Sequence, residues 1–281
     1  MALSRDSLTL LTLNAHSLME ADNAMCLRTL AQAIVRERVD VVALQEVNQS
    51  KDAPLADEQR LLQSRFVPCD EEKPVRCDNY ALALARLLEA QDERFYWTWG
   101  FAHLGYRVYE EGVALLSRAP ITGVRSACVS AEGARCRRKI VGVRTQALQG
   151  EAWFYTAHMG WWKDEEDPFA AQWERLLALC GDDPAYLMGD FNSPAHVRGE
   201  GYDLMTHAGF TDLYMRARSR DAGATVGGQI DGWRKGKVDP MRIDFAFSNR
   251  PGHTARSRVI FDGAFYPVIS DHFGVLTHER L

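Results

Sequence analysis

Several stretches of this chain run apolar and then stop on a residue that can do chemistry. LTLLTLNAH (8–16) delivers Asn14, DVVALQEV (40–47) delivers Glu46, EAWFYTAH (151–158) delivers His158, and AYLMGDFN (185–192) delivers Asp190 with Asn192 just beyond. MRIDFAFSN carries Asp244, and SDHFGVLTH carries Asp271 and His272. A short continuous apolar run bounded by turn formers reads as a strand buried on both faces. One polar ending is a turn, since Asp, Asn, Gly and Pro are all turn formers. This many endings predict a shared rim, and ligands bind in clefts where such elements converge.

Between these runs the periodicity changes. Leu27, Leu30, Ala31, Ile34 and Val35 recur at helical spacing behind a candidate cap at Asp22 or Asn23. NYALALARLLEAQ (79–91) reads as a helix, and so does 168–180, with Pro168 suited to its first position. FYWTWGFAH (95–103) and GVALLSR (112–118) read as strands, and KIVGVRTQAL and EAWFYTAH as a hairpin around Gln149-Gly150. Residues 50–77, with three prolines, read as a long loop with room for one helical turn. No repeat, low-complexity linker or composition break divides the chain, so one domain over 1–281 is expected. Strands outnumber helices and the helices are amphipathic, which predicts helices covering the outer faces of sheets in an α/β layered sandwich.

Composition narrows the classes. With 46% hydrophobic and 25% charged residues, the chain has material for a sizeable core. It contains no apolar run long enough for a transmembrane helix. The N-terminus lacks a signal-peptide pattern, so the six cysteines, none in a CxxC pair, are expected as reduced thiols in a cytoplasmic protein. The net charge of −5 and pI of 5.9 argue against general nucleic-acid binding, where Lys and Arg contacts to phosphate dominate. RCRRK (135–139) is the nearest basic patch, and a solvated hairpin is its plainest reading.

Taken singly, each polar ending has an ordinary explanation; Asp244, for example, has Arg242 as a neighbour to pair with. Together they fit metal-assisted phosphoryl chemistry. Magnesium takes oxygen ligands, one or two of them carboxylates. Glu46 suits the principal ligand, with Asn14 giving a carbonyl oxygen or holding a water. Asp190 suits the base or orienter of an attacking water. His158, His272 and Asn192 suit the donors that meet charge on phosphate. A histidine used in this way needs a carboxylate to fix its tautomer and hold its charge, and Asp244 and Glu111 are available.

The ordered motifs LNAH, ALQEV, EEGVALLSR, MGDFN, RIDFAF and SDHFGV resemble the endonuclease/exonuclease/phosphatase superfamily from about residue 8 to 277. The resemblance implies a four-layer αββα sandwich, with two mixed sheets packed face to face as in deoxyribonuclease. It implies Asn14 and Glu46 as metal positions, with Asp271 sometimes counted as a ligand, and magnesium, or manganese, as the ion. It further implies Asp190 as the acid that positions the water and Asn192 as the amide that supports the transition state. His272 and His158 become phosphate contacts, with Asp244 and Glu111 as their carboxylate partners.

HMGWWKDEEDPF, RGEGYD and GGQIDGW, taken with LNAHSLME, DNYALAL and GYRVYEEG, resemble the bacterial maltose 6'-phosphate phosphatase branch. That branch implies a phosphomonoesterase acting on a phosphorylated disaccharide. Trp161, Trp162 and Trp233 offer flat faces for a pyranose, or else pack in the core. Asp231, Glu200 and Asp203 offer acceptors for hydroxyls, and Arg198 and Arg107 are candidates for a phosphate oxygen. The alternatives are a nuclease, or a lipid phosphodiesterase of the sphingomyelinase kind using Trp161-Trp162 to reach a membrane.

Overall fold

The computed structural model of the chain describes residues 6–228 and 239–281. In chain order the strands and helices are β1 (Ser7–Asn14), α1 (Asn23–Arg36), β2 (Val41–Ser50), α2 (Glu58–Gln63), α3 (Tyr80–Glu89), β3 (Tyr96–Gly105), β4 (Tyr109–Ser117), β5 (Gly123–Cys128), β6 (Lys139–Gln146) and β7 (Glu151–His158). There follow α4 (Phe169–Cys180), β8 (Ala185–Asp190), α5 (Gly201–His207), β9 (Thr211–Asp212), α6 (Leu213–Arg216), β10 (Ser219–Arg220), β11 (Asp244–Ser248), β12 (His253–Ile260) and β13 (Gly274–Arg280). One sheet runs β10-β12-β13-β1-β2-β4-β3 and the other β5-β6-β7-β8-β11-β9.

Strand alternation builds the layers. Side chains along a strand point to opposite faces in turn. Leu8 and Leu10 of β1, Val41 and Ala43 of β2, and Val113 and Leu115 of β4 meet Val141, Val143, Phe154, Met188 and Ala246 of the second sheet. The intervening Leu11, Leu13, Val42, Leu44, Ala114 and Leu116 point the other way, against Leu27, Leu30 and Ile34 of α1 and Leu84 and Leu88 of α3. Tyr155, Leu187, Phe245 and Phe247 pack outward on Trp173 and Leu176 of α4 and Met205 of α5. The result is the expected αββα sandwich, and its central strands read as unbroken apolar runs because both faces are covered.

Two crossovers set the functional rim. β1 and β2 are parallel and joined through α1; β7 and β8 are parallel and joined through α4. Parallel pairing puts the carboxyl ends of both partners at the same edge, so Asn14 lies across from Gln45, beside Glu46, and His158 across from Asp190. β11 is antiparallel to β8, so Asp244 begins its strand at the edge where Asp190 ends one. β13 is antiparallel to β1, which brings the segment before it, with Asp271 and His272, to the end of β1 that carries Asn14. Asp244 therefore opens its strand, and Asp271 and His272 precede theirs, rather than closing them.

The structure differs from the sequence expectation at several elements. Glu46 does not end β2: the strand continues to Ser50, and Glu46 sits at φ 52° within an irregularity between Leu44 and Val47 opposite β4. A bulge of this kind re-aims a side chain without stopping the strand. β5 was not expected; its sequence GVRSAC has no apolar run, and most of it is only half-buried. α5 and α6 are too short to show helical periodicity. Pro168 is the cap of α4 rather than its first residue. The long loop holds its helical turn as α2, capped by Asp57. Asp22 caps α1 by accepting from the Met25 N–H, and Asn79 caps α3 at Ala81 and Leu82.

Gly189, at φ 151°, fixes how close β8 lies to β7: a Cβ there would stand 1.9 Å from the Ala157 carbonyl oxygen. Only glycine admits that approach, and the next residue is Asp190.

Candidate active site

The rim residues converge. Asn14 Nδ2 donates to Glu46 Oε1 at 2.8 Å and lies 3.3 Å from Asp190 Oδ2. His158 Nε2 lies 3.6 Å from Asp190 Oδ2 and 4.0 Å from Glu46 Oε1. His272 Nδ1 lies 3.0 Å from Asp244 Oδ2, while its Nε2 lies 3.9 Å from Asp190 Oδ2. Asn192 takes a left-handed turn, φ 47°, that asparagine tolerates. Its backbone N–H donates to Asp190 Oδ1 and its Nδ2 to the Met159 carbonyl, both at 2.9 Å. Asp190 is thus held by backbone and side chain while it faces two histidines.

Burial and neighbours push the histidines apart. Burial alone would discharge His272, but Asp244 and Asp190 overcome it and raise its pKa to about 10. His158 goes the other way: burial, then the charges of Arg138, His103 and His272, hold it well below the usual range. One ring is therefore an imidazolium and the other a neutral imidazole, where both were expected to be held charged by a carboxylate. Among the described residues, Asp190 and Glu46 are the carboxylates within 4.0 Å of His158, and Glu111 Oε1 lies 3.6 Å from His103 Nε2. Glu111 thus lies beside His103 at the edge of the same cavity. Asp190 is raised by burial, with Asp244 adding to this and His272 opposing it. Glu46 is raised to about 7 by burial and by the negative charges of Glu111 and Asp271.

A family model described as the Endonuclease/Exonuclease/phosphatase family matches residues 11–272, which span all of these groups. The chain belongs to that family. A family member from Leptotrichia buccalis C-1013-b superposes with a TM-score of 0.83 at 28% identity, covering 98% of this chain and 100% of that one. A mannosyl-6-phosphatase from Bacteroides thetaiotaomicron VPI-5482 gives 0.62 at 19% identity over 98% and 100%. D. rerio TDP2 complexed with single strand DNA product gives 0.63 at 15% identity over 99% and 100%. The last two share the fold with this chain. No curated protein matches it. Members of the endonuclease/exonuclease/phosphatase family are metal-dependent phosphoric ester hydrolases, and this chain is an enzyme of that class.

The donor set can be tested against a cation. Asp190, Asp244 and His272 bring ligand atoms within 4.8 Å of one another. His272 is also paired with Asp244 at 3.0 Å, and a metal bound there would displace its proton. In the metal-free protein the trio is linked by that ion pair. Glu46, the Asn14 carbonyl and Asp271 offer oxygens alone, and the raised Glu46 marks a place where negative charge is crowded. Such a set suits a hard divalent ion.

A cavity of about 380 Å³ opens over Glu46, His158, Asp190, Asn192 and His272. Its lining adds Leu104 to Tyr106 from the β3–β4 turn, together with Arg135, Arg138 and Trp161. Of the substrate candidates, Trp161 therefore reaches the cavity. Trp162 is only partly exposed and packs on Phe169, ring centroids 6.2 Å apart, which is the core reading. Arg198 is paired with Asp203 at 2.6 Å on the surface, Glu200 with Lys163 at 3.2 Å, and Arg107 is exposed in a turn; none of them lines the cavity. Arg242 pairs with Asp212 at 2.6 Å, leaving Asp244 to His272. Asp231 and Trp233 lie outside the described residues.

RCRRK is not a solvated hairpin throughout: Arg138 is 6% exposed and Lys139 5%. Lys139 pairs with Asp70 and Glu72. Arg138 was missed because a charge run gives no sign of which member turns inward. Its place immediately before an apolar strand, as with the acidic rim residues, was the available signal.

Proposed function

We propose that the enzyme is a magnesium-dependent phosphomonoesterase acting on a sugar phosphate, with maltose 6'-phosphate or a related disaccharide phosphate as the substrate. The observation that carries this reading is the depth of the site. His158, Asp190 and His272 are 9%, 1% and 4% exposed beneath a cavity that admits a terminal phosphate on a small group. The net charge of −5 and the likeness in fold to a mannosyl-6-phosphatase support it. Trp161 offers an apolar face for the sugar.

In this reading Glu46, Asn14 and Asp271 hold magnesium, with manganese as a substitute. When bound, the ion supplies Lewis-acid stabilisation of phosphoryl charge. Asp190, fixed by Asn192, orients water and accepts its proton as the oxygen attacks phosphorus; the P–O bond to the sugar breaks, and the sugar oxygen leaves and takes up a proton from solvent. His272 offers a charged N–H and His158 a neutral one to the phosphoryl oxygens, where charge grows in the transition state. Asp244 keeps His272 charged and turned toward Asp190. The free thiols of all six cysteines suit a cytoplasmic setting.

Phosphate release from maltose 6'-phosphate, trehalose 6-phosphate, glucose 6-phosphate and an inositol phosphate, under magnesium with an EDTA control, tests the proposal. Preference for a disaccharide phosphate is the expected result. Plasmid nicking without phosphate release would leave a phosphodiesterase of the same fold, as the shared architecture with D. rerio TDP2 allows.

A further inference from the structure

Arg138 is more than nine-tenths buried, yet its guanidinium has no hydrogen bond or ion pair among the described residues. Arginine stays protonated in proteins, and a buried charge without a counter-charge is costly. The chain nevertheless holds it firmly. Arg138 N–H donates to Ser130 Oγ at 2.6 Å, its carbonyl accepts from Val129 N–H at 2.8 Å, and its guanidinium lies over the Trp161 ring, 5.6 Å from the centroid. It lines the catalytic cavity and also an adjoining one of about 310 Å³, so it stands where the two meet. A fixed donor fork that faces a cavity and has no acid within ion-pair distance among the described residues is built to receive an anion from outside.

We infer that Arg138 grips the non-bridging oxygens of a terminal phosphate and makes the site select phosphomonoester dianions over diesters. A phosphomonoester presents three non-bridging oxygens and up to two negative charges; a diester presents two oxygens and one charge. The planar guanidinium matches a pair of phosphate oxygens, and its fixed charge favours the dianion. Arg138 thereby takes the place for which Arg198 and Arg107 were candidates. The inference rests on the phosphomonoesterase reading and adds to it the residue that discriminates.

The test uses full-length Arg138→Gln and Arg138→Lys with magnesium. The substrates are p-nitrophenyl phosphate and bis-p-nitrophenyl phosphate, and inorganic phosphate serves as a competitive inhibitor. For Arg138→Gln, kcat/KM for the monoester is expected to fall about 10²–10³-fold, the range for loss of one preorganised donor. That fall should exceed the fall for the diester by at least about tenfold, since a tenfold ratio corresponds to one well-placed charged contact. The inhibition constant for phosphate should rise in parallel. Arg138→Lys, which keeps the charge and the stem over Trp161, should fall between wild type and Arg138→Gln in both readouts. It also serves if the glutamine variant does not fold. Equal losses on the two substrates, or an unchanged phosphate constant in a folded variant, would overturn this inference alone. A wild-type enzyme that cleaves only diesters would overturn the phosphomonoesterase reading as well.

Discussion

His272 Nδ1 lies 3.0 Å from Asp244 Oδ2 and 3.2 Å from Oδ1, and both side chains are buried. That contact, with Asp190 beyond, holds the ring charged up to about pH 10. Asp244→Asn removes it. Turnover should fall about 10²–10⁴-fold, the range for positioned acid–base groups. The alkaline limb of the pH–rate profile should move down toward the ordinary histidine range. The sign for stability follows from a folded pKa above the unfolded one. The contribution is complete below about 6.5 and is lost as pH rises through about 10. Urea midpoints of wild type and variant should therefore differ most near pH 6 and converge toward pH 10.

Asp190→Asn keeps the shape of the site and removes the acceptor for a proton from water. Turnover should drop about 10²–10⁴-fold with a small change in KM. His272→Ala should lose a similar amount. If both variants stay within tenfold of wild type, the roles given to the rim are wrong.

Glu46 ties metal to stability. Its folded pKa, about 7, lies above the ordinary glutamate value of about 4.5, so the metal-free protein should lose stability as pH rises through that window. Magnesium should reverse the loss, because bound ligand stabilises the folded state by mass action. Glu46→Gln should melt above metal-free wild type at pH 8, by about 2–4 °C for each kcal/mol of relieved repulsion. It should also show no magnesium-dependent shift. Thermal melts with EDTA and with magnesium check both statements.

Much of this site can be read from the chain because parallel strands buried on both faces have to be apolar throughout, so the polar residue at each end stands out. Asn14, His158 and Asp190 declare themselves in this way, and Asp22 and Asn79 declare two helices as caps. Glu46 is legible as a residue but not in its setting: a bulge inside β2 depends on the register with β4, which local sequence does not encode. Arg138 is hidden for a related reason. Only the third dimension shows that one arginine of RCRRK turns in beside Trp161 while Arg135 pairs outward with Glu166. Arg198 is legible as a basic residue, but its pairing with Asp203, five residues on at the surface, is not.

Gly189 makes the last prediction, since it links packing to chemistry without touching substrate. A methyl group there would meet the Ala157 carbonyl at 1.9 Å, and backbone cannot yield as a flexible side chain can. Its φ of 151° adds strain for any residue with a Cβ. Gly189→Ala should force β8 away from β7, break the register that sets His158 against Asp190, and destabilise the fold by about 3 kcal/mol or more. Chemical denaturation measures that cost. The residual folded enzyme should also turn over more slowly per folded molecule, because Asp190 follows directly and moves with the strand. A variant with wild-type stability and turnover would show that the β7–β8 contact is looser than the structure has it.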